Sequence, residues 1–116
     1  VKRPRALPTY AVSIFMAGDI ETAKRHIRRC CYEDALCVTV TPTTFIYTAG
    51  EEAGFTVGFV NYPRFPRVPS RLRARAMKLA RELMRECCQR SALVMDASRT
   101  DWLTLDPPAL ARSKSP

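Results

Sequence analysis

Apolar positions along this chain switch between two periods, and each switch marks an element. Residues 9–17, Thr-Tyr-Ala-Val-Ser-Ile-Phe-Met-Ala, alternate with period two and predict a strand. Tyr10, Val12, Ile14 and Met16 share one face of it, and Ala11, Ser13 and Phe15 the other. Gly18-Asp19 turns the chain, with Asp19 a good N-cap. Over residues 20–34 the period becomes helical, with Ile20, Ala23, Ile27 and Cys30 or Cys31 as a narrow apolar stripe. Residues 36–40 read as a short strand, Pro42 as a bulge, an edge position or a break, and residues 44–48 as strand again. Residues 49–54 form a glycine-flanked hairpin tip and residues 55–62 the returning strand. Pro63, Pro66 and Pro69 punctuate a linker, and Ser70 caps a second helix reaching about Gln89. Its buried stripe is Leu72, Ala76, Leu79, Ala80, Leu83 and Cys87. Leu93-Val94-Met95 make the last strand, and the chain leaves it over residues 96–104.

The order strand, helix, strand, strand, helix, strand predicts the α+β class. The expected architecture is a two-layer split β-α-β sandwich, an antiparallel sheet of four or five strands with both helices on one face. The other face must then meet solvent, a ligand or another subunit. With 116 residues the chain suffices for one core and not two. The expected division is a basic flexible arm at 1–8, a single domain at 9–104 and a flexible tail at 105–116. No stretch approaches the roughly 18–20 apolar residues of a membrane span, and no signal-peptide pattern is present. The expectation is a soluble cytoplasmic protein without a membrane partner.

Charge changes the picture. Lys and Arg total 19 against 11 acidic residues, a net +8, and 15 of the 19 are Arg. Arginine offers a planar donor fork that pairs with phosphates and stacks on bases, so the bias points to a phosphate-bearing partner. On the first helix Lys24 with Arg28, and Arg25 with Arg29, are like-charge i,i+4 pairs costing a few tenths of a kcal/mol each, roughly. A bound anion relieves that repulsion. Arg64 and Arg67 add two cations in the proline-stiffened linker.

The five cysteines, Cys30-Cys31, Cys37 and Cys87-Cys88, are odd in number and read as buried thiols rather than a disulfide framework. They lack zinc-ligand spacing, and His26 is the one histidine, so no metal site is expected. There is no G-x-S-x-G, Walker loop or H-E-x-x-H. Glu51-Glu52 could serve as an acid–base pair but read more simply as hairpin-tip residues. Asp96 and Asp101 follow a strand end without a visible partner. No catalytic residue and no cofactor is expected, and the protein reads as a non-enzyme.

Gly58, Phe59, Val60 and Tyr62 resemble the second half of the eight-residue signature of RNA-recognition motifs, and Ile14-Phe15-Met16 the shorter six-residue one. Phe15 and Phe59 would then form a two-ring platform for bases. The basic and aromatic positions of the longer signature are occupied by Phe55 and Val57.

Taken together, Gly18-Asp19, Cys37-Val38-Thr39-Val40, Phe45-Ile46-Tyr47-Thr48, Gly50-Glu51-Glu52 and Val57-Gly58 with Asn61-Tyr62-Pro63-Arg64-Phe65-Pro66 resemble a small protein type of tailed phages. Within it the chain is most similar to the Thoeris anti-defence proteins, over roughly residues 9–102. The resemblance implies a homo-oligomeric sponge that sequesters a nucleotide second messenger in the host cytoplasm, a cyclic ADP-ribose isomer or a cyclic oligonucleotide. It implies arginines on the first helix, which Lys24 and Arg28 fit, and pockets between subunits, for which Phe45 and Asn61 are suitable by type. The expected ligand-binding set is Lys24, Arg25, Arg28, Phe45, Phe59, Asn61, Arg64 and Arg67. The alternatives are an RNA- or single-stranded-DNA-binding module and an inhibitor of an acidic host protein.

Overall fold

The computed structural model describes residue 4 and residues 6–105. The predicted tail apart from Leu105, and the arm apart from Pro4 and residues 6–8, lie outside the described residues. The elements are β1 (Ala11–Ala17), α1 (Ile20–Glu33), β2 (Val38–Tyr47), β3 (Gly50–Val60), α2 (Pro69–Glu86), β4 (Ser91–Met95) and β5 (Thr100–Thr104). They form one antiparallel sheet in the order β2-β3-β1-β4-β5. The α+β sandwich is therefore observed, with β5 as an added hairpin strand beside β4.

The core lies between sheet and helices. Val12, Ile14 and Met16 of β1 face Phe59, Val57 and Phe55 of β3 across the ladder, and all are buried. Ala23, Ile27 and Cys30 of α1, and Leu72, Ala76, Leu79, Ala80 and Leu83 of α2, cover them. Complete burial of rings such as Phe55 and Phe59 contributes about 1.5–3 kcal/mol each. Asp19 caps α1 as predicted, accepting from the Thr22 amide at 2.9 Å.

Three local readings change. Residues 38–47 form one strand straight through Pro42, because β2 is the sheet edge, where the missing amide hydrogen faces solvent. The hairpin tip shrinks to Thr48-Ala49, with Ala49 at φ 71°, and Glu51, Glu52 and Gly54 are strand residues. The second helix starts at Pro69, whose fixed φ suits the first helical position, and its N-cap Val68 gives no side-chain hydrogen bond. All five cysteines are free thiols.

Candidate functional site

Alternation in the strands gives the uncovered sheet face its composition. One row runs Thr41, Thr56, Phe15, Leu93, Trp102 across all five strands, and the next runs Thr39, Gly58, Ser13, Met95, Thr100. Toward the β2–β3 hairpin, Thr43 lies opposite Gly54, Phe45 opposite Glu52, and Tyr47 opposite Gly50. The Thr43 and Thr56 hydroxyls are 2.8 Å apart. The Phe45 ring fills the space above Gly54, where a Cβ would meet that ring at 2.6 Å. The Tyr47 ring packs likewise over Gly50. Glu52 is the one acid among the strand residues of this face, and none of them is basic. Trp102 at 45% and Leu93 at 37% exposure are large apolar side chains left open to water. This face is thus weakly polar and ring-bearing, with a carboxylate at one end.

The helix layer is its opposite. Arg25, Arg28 and Arg29 on α1, and Arg71, Arg81 and Arg85 on α2, are exposed. Lys24 pairs with Glu21 at 3.4 Å. Lys24 and Arg28 line a groove of about 370 Å³ with Cys31, Cys37, Val38 and Val40. Of the expected ligand-binding set, the structure brings only Lys24, Arg25 and Arg28 to one face. Arg64 is exposed in the linker. A separate hollow of about 570 Å³ at the end of α2 is lined by Met84, Cys88 and Leu103 with Arg81 and Arg85, and holds neither an acid nor an aromatic ring.

Three members of that set are engaged within the fold. Phe59 is wholly buried, on the helix side, while Phe15 lies on the opposite face, so the two rings cannot form one platform. The Asn61 amide nitrogen donates to the Pro8 carbonyl at 3.2 Å and its oxygen accepts from the Arg67 amide at 3.1 Å. Arg67 donates to Asp34 at 2.7 Å and to the Ala35 carbonyl at 2.9 Å, tying the linker to the end of α1. Arg75 reaches the same carboxylate at 3.1 Å. Burial works to raise the Asp34 pKa, but the bonds from Arg67 and Arg75 outweigh it and hold the carboxyl below its usual range.

Two clusters escaped the sequence reading. Arg73, on the inward side of α2, is buried against Asp96 at 2.8 Å and also binds Asp101 and the Val94 carbonyl. The Tyr10 hydroxyl donates to Asp96 at 2.8 Å. The Ser98 amide, the Tyr10 hydroxyl and the Ser98 hydroxyl together hold Asp96 far below the usual carboxylate range. These are the partners that Asp96 and Asp101 lacked on paper. Because every oxygen of Asp96 is engaged, the cluster reads as a clamp joining α2 to the β4–β5 turn.

The second cluster lies between the helices. His26 Nε2 is 2.8 Å from Glu82 Oε1 and 3.4 Å from Cys30 Sγ, and that sulfur is 3.6 Å from the same oxygen. Burial pushes the Cys30 thiol up, with the neighbouring Arg75 guanidinium working against it. Burial also works to raise Glu82, but its bonds from His26 and Cys30 leave it lowered. His26 is therefore a half-buried bridging residue rather than a solvated one.

No protein-family model and no curated protein sequence matches the chain. Solved structures do. The fold is similar to a phage SAM lyase in its apo state, with a TM-score of 0.66 and 13% identity over 91% of this chain and 98% of that one. It is also similar to a phage SAM lyase in complex with S-methyl-5'-thioadenosine, with a TM-score of 0.63 and 10% identity over 91% and 97%. The expectation of a non-enzyme is overturned: this sandwich is one that a lyase uses from end to end. The phage setting agrees with the resemblance drawn from the sequence, whereas both neighbours are lyases and not sponges.

Proposed function

We propose that this protein is a lyase acting on S-adenosylmethionine or a closely related sulfonium nucleoside. The observation that carries the reading is the nearly complete mutual coverage with two lyase structures, one holding S-methyl-5'-thioadenosine. That thioether keeps the adenosyl and methyl groups of S-adenosylmethionine, so the bond broken joins sulfur to the methionine Cγ. In an internal displacement, the substrate's own carboxylate oxygen attacks Cγ. The Cγ–S electron pair passes to sulfur, and homoserine lactone leaves beside the thioether. No proton moves, and one positive and one negative charge cancel.

This chemistry needs no acid–base, nucleophile or metal motif of the kinds absent from the sequence. A charge-cancelling step is slowed by water, which stabilises the separated charges of the ground state more than the transition state. The protein has to exclude water and hold the chain folded for attack. The uncovered sheet face suits that task. Its threonines and rings form a weakly polar floor, and Phe45 and Tyr47 can face a sulfonium with their π-clouds. Glu52 supplies the counter-charge. The arginine row of α1 suits a phosphate, whereas S-adenosylmethionine is a phosphate-free cation that the row repels.

The sheet face is open in the single chain, so a second copy laid over it is the cover we propose. The homo-oligomer expected from the sequence then completes the site. An anti-defence role would work by consuming a nucleoside metabolite of the host. The test is incubation of the protein with S-adenosylmethionine and chromatography of the products. Appearance of S-methyl-5'-thioadenosine with homoserine lactone supports the reading, and quantitative recovery of intact substrate sinks it. Glu52→Gln is expected to lower kcat/KM by about 100-fold.

A further inference from the structure

We propose that His26, Cys30 and Glu82 form a binding site for one zinc-class divalent ion between α1 and α2. The three donor atoms lie within 4.8 Å of one another. His26 and Cys30 are four residues apart, one turn along the same helix face, and Glu82 meets them from the facing helix. Bonds of about 2.0–2.3 Å at tetrahedral angles place neighbouring donors roughly 3.3–3.7 Å apart. The nitrogen–sulfur and sulfur–oxygen separations, 3.4 and 3.6 Å, already have that spacing. The nitrogen–oxygen pair at 2.8 Å opens by about half an ångström when the ion replaces their hydrogen bond.

Donor chemistry agrees with the geometry. Imidazole, thiolate and carboxylate are the three ligand types a borderline-soft ion such as zinc takes, and together they carry two negative charges, matching a divalent ion. The thiol proton leaves to solvent as the Cys30–metal bond forms. The network is also incomplete as it stands. Arg75 Nη1 is buried without a hydrogen-bond partner, and the Arg75 guanidinium lies beside the Cys30 sulfur. A thiolate there gives a second anionic acceptor to that guanidinium, whose Nε already donates to Asp34. Side-chain exposures of 12% for His26 and 19% for Glu82 leave a narrow opening for the ion and for a fourth ligand from solvent. A single histidine and cysteines without zinc-ligand spacing hide this set along the chain, because it assembles one residue of each type across two helices.

The test uses Co²⁺ as the probe on the full chain, read by absorption. Tetrahedral thiolate-bound Co²⁺ gives a sulfur-to-metal charge-transfer band with visible d–d bands. One equivalent is expected, displaced by Zn²⁺, with a thermal midpoint that rises on binding. Cys30→Ser should remove the charge-transfer band and weaken binding at least about 100-fold. A variant with Cys31, Cys37, Cys87 and Cys88 all changed to Ser should keep both, and circular dichroism establishes that each variant folds. Glu82→Gln serves as a second ligand variant with all cysteines intact, expected to weaken binding about tenfold or more. A band that survives Cys30→Ser, a band lost only in the four-cysteine variant, or no stoichiometric uptake overturns the proposal. None of these readouts depends on lyase activity.

Discussion

Gly54 is the position where one extra carbon costs the most. A Cβ there would press on the Met16 carbonyl oxygen and the Ala17 Cα, both backbone atoms that cannot step aside, as well as on the Phe45 ring. Gly54→Ala is expected to destabilise the fold by about 2 kcal/mol, read as a lower urea midpoint. Arg73 is the other sensitive residue. Arg73→Met leaves the Asp96 carboxylate and the Tyr10 hydroxyl without their cation, and should cost about 3 kcal/mol. The same clamp sets the acid response. Asp96 and Asp101 have lowered folded pKa values, so their contribution is complete above the usual carboxylate range, near about pH 4, and is lost as pH falls below it. Thermal midpoints between pH 7 and pH 2 should therefore fall less steeply in Asp96→Asn than in the parent. None of this was visible in the sequence: Tyr10 and Asp96 are 86 residues apart, and Arg73 looks like one more cation on an arginine-rich helix.

At the scale of elements, most of the fold could be read from the chain. Alternation in β1 assigned both faces correctly, and the stripes of α1 and α2 located the helices to within a few residues. The misreadings were at punctuation. Pro42 looked like an interruption because only the sheet order reveals that β2 is an edge. Gly50 and Gly54 looked like loop residues, although each is a strand position made small for an aromatic ring on β2. β5 has the polar residues of an exit segment, yet Trp102 and Leu103 pair it with β4. The start of α2 remains improvable. Val68 stands at the N-cap, 56% exposed and without a capping oxygen. Val68→Asp should stabilise the protein by about 1 kcal/mol, seen as a thermal midpoint a few degrees higher.

For the whole molecule, the candidate site was legible in its parts and not in its setting. Phe45 and the Glu51-Glu52 pair were singled out, but the sheet register alone puts Phe45, Tyr47 and Glu52 on the uncovered face and Glu51 on the other. The proposed face-to-face cover has its own test. Light scattering should give a mass that is a multiple of the 13.1 kDa chain, and Leu93→Lys should return it to that value. A parent that scatters as a single chain would remove the cover and, with it, the dry site.

Segregation of charge between the two layers carries a practical corollary. If copies meet through their weakly polar sheets, every exposed arginine of α1 and α2 ends on the outside of the particle. Such a coat condenses on any polyanion by counterion release, irrespective of base sequence. Preparations are then expected to carry cellular RNA, visible as excess absorbance at 260 nm and shed by high salt. That adhesion would imitate the binding of a nucleic-acid reader while leaving the enclosed chemistry untouched.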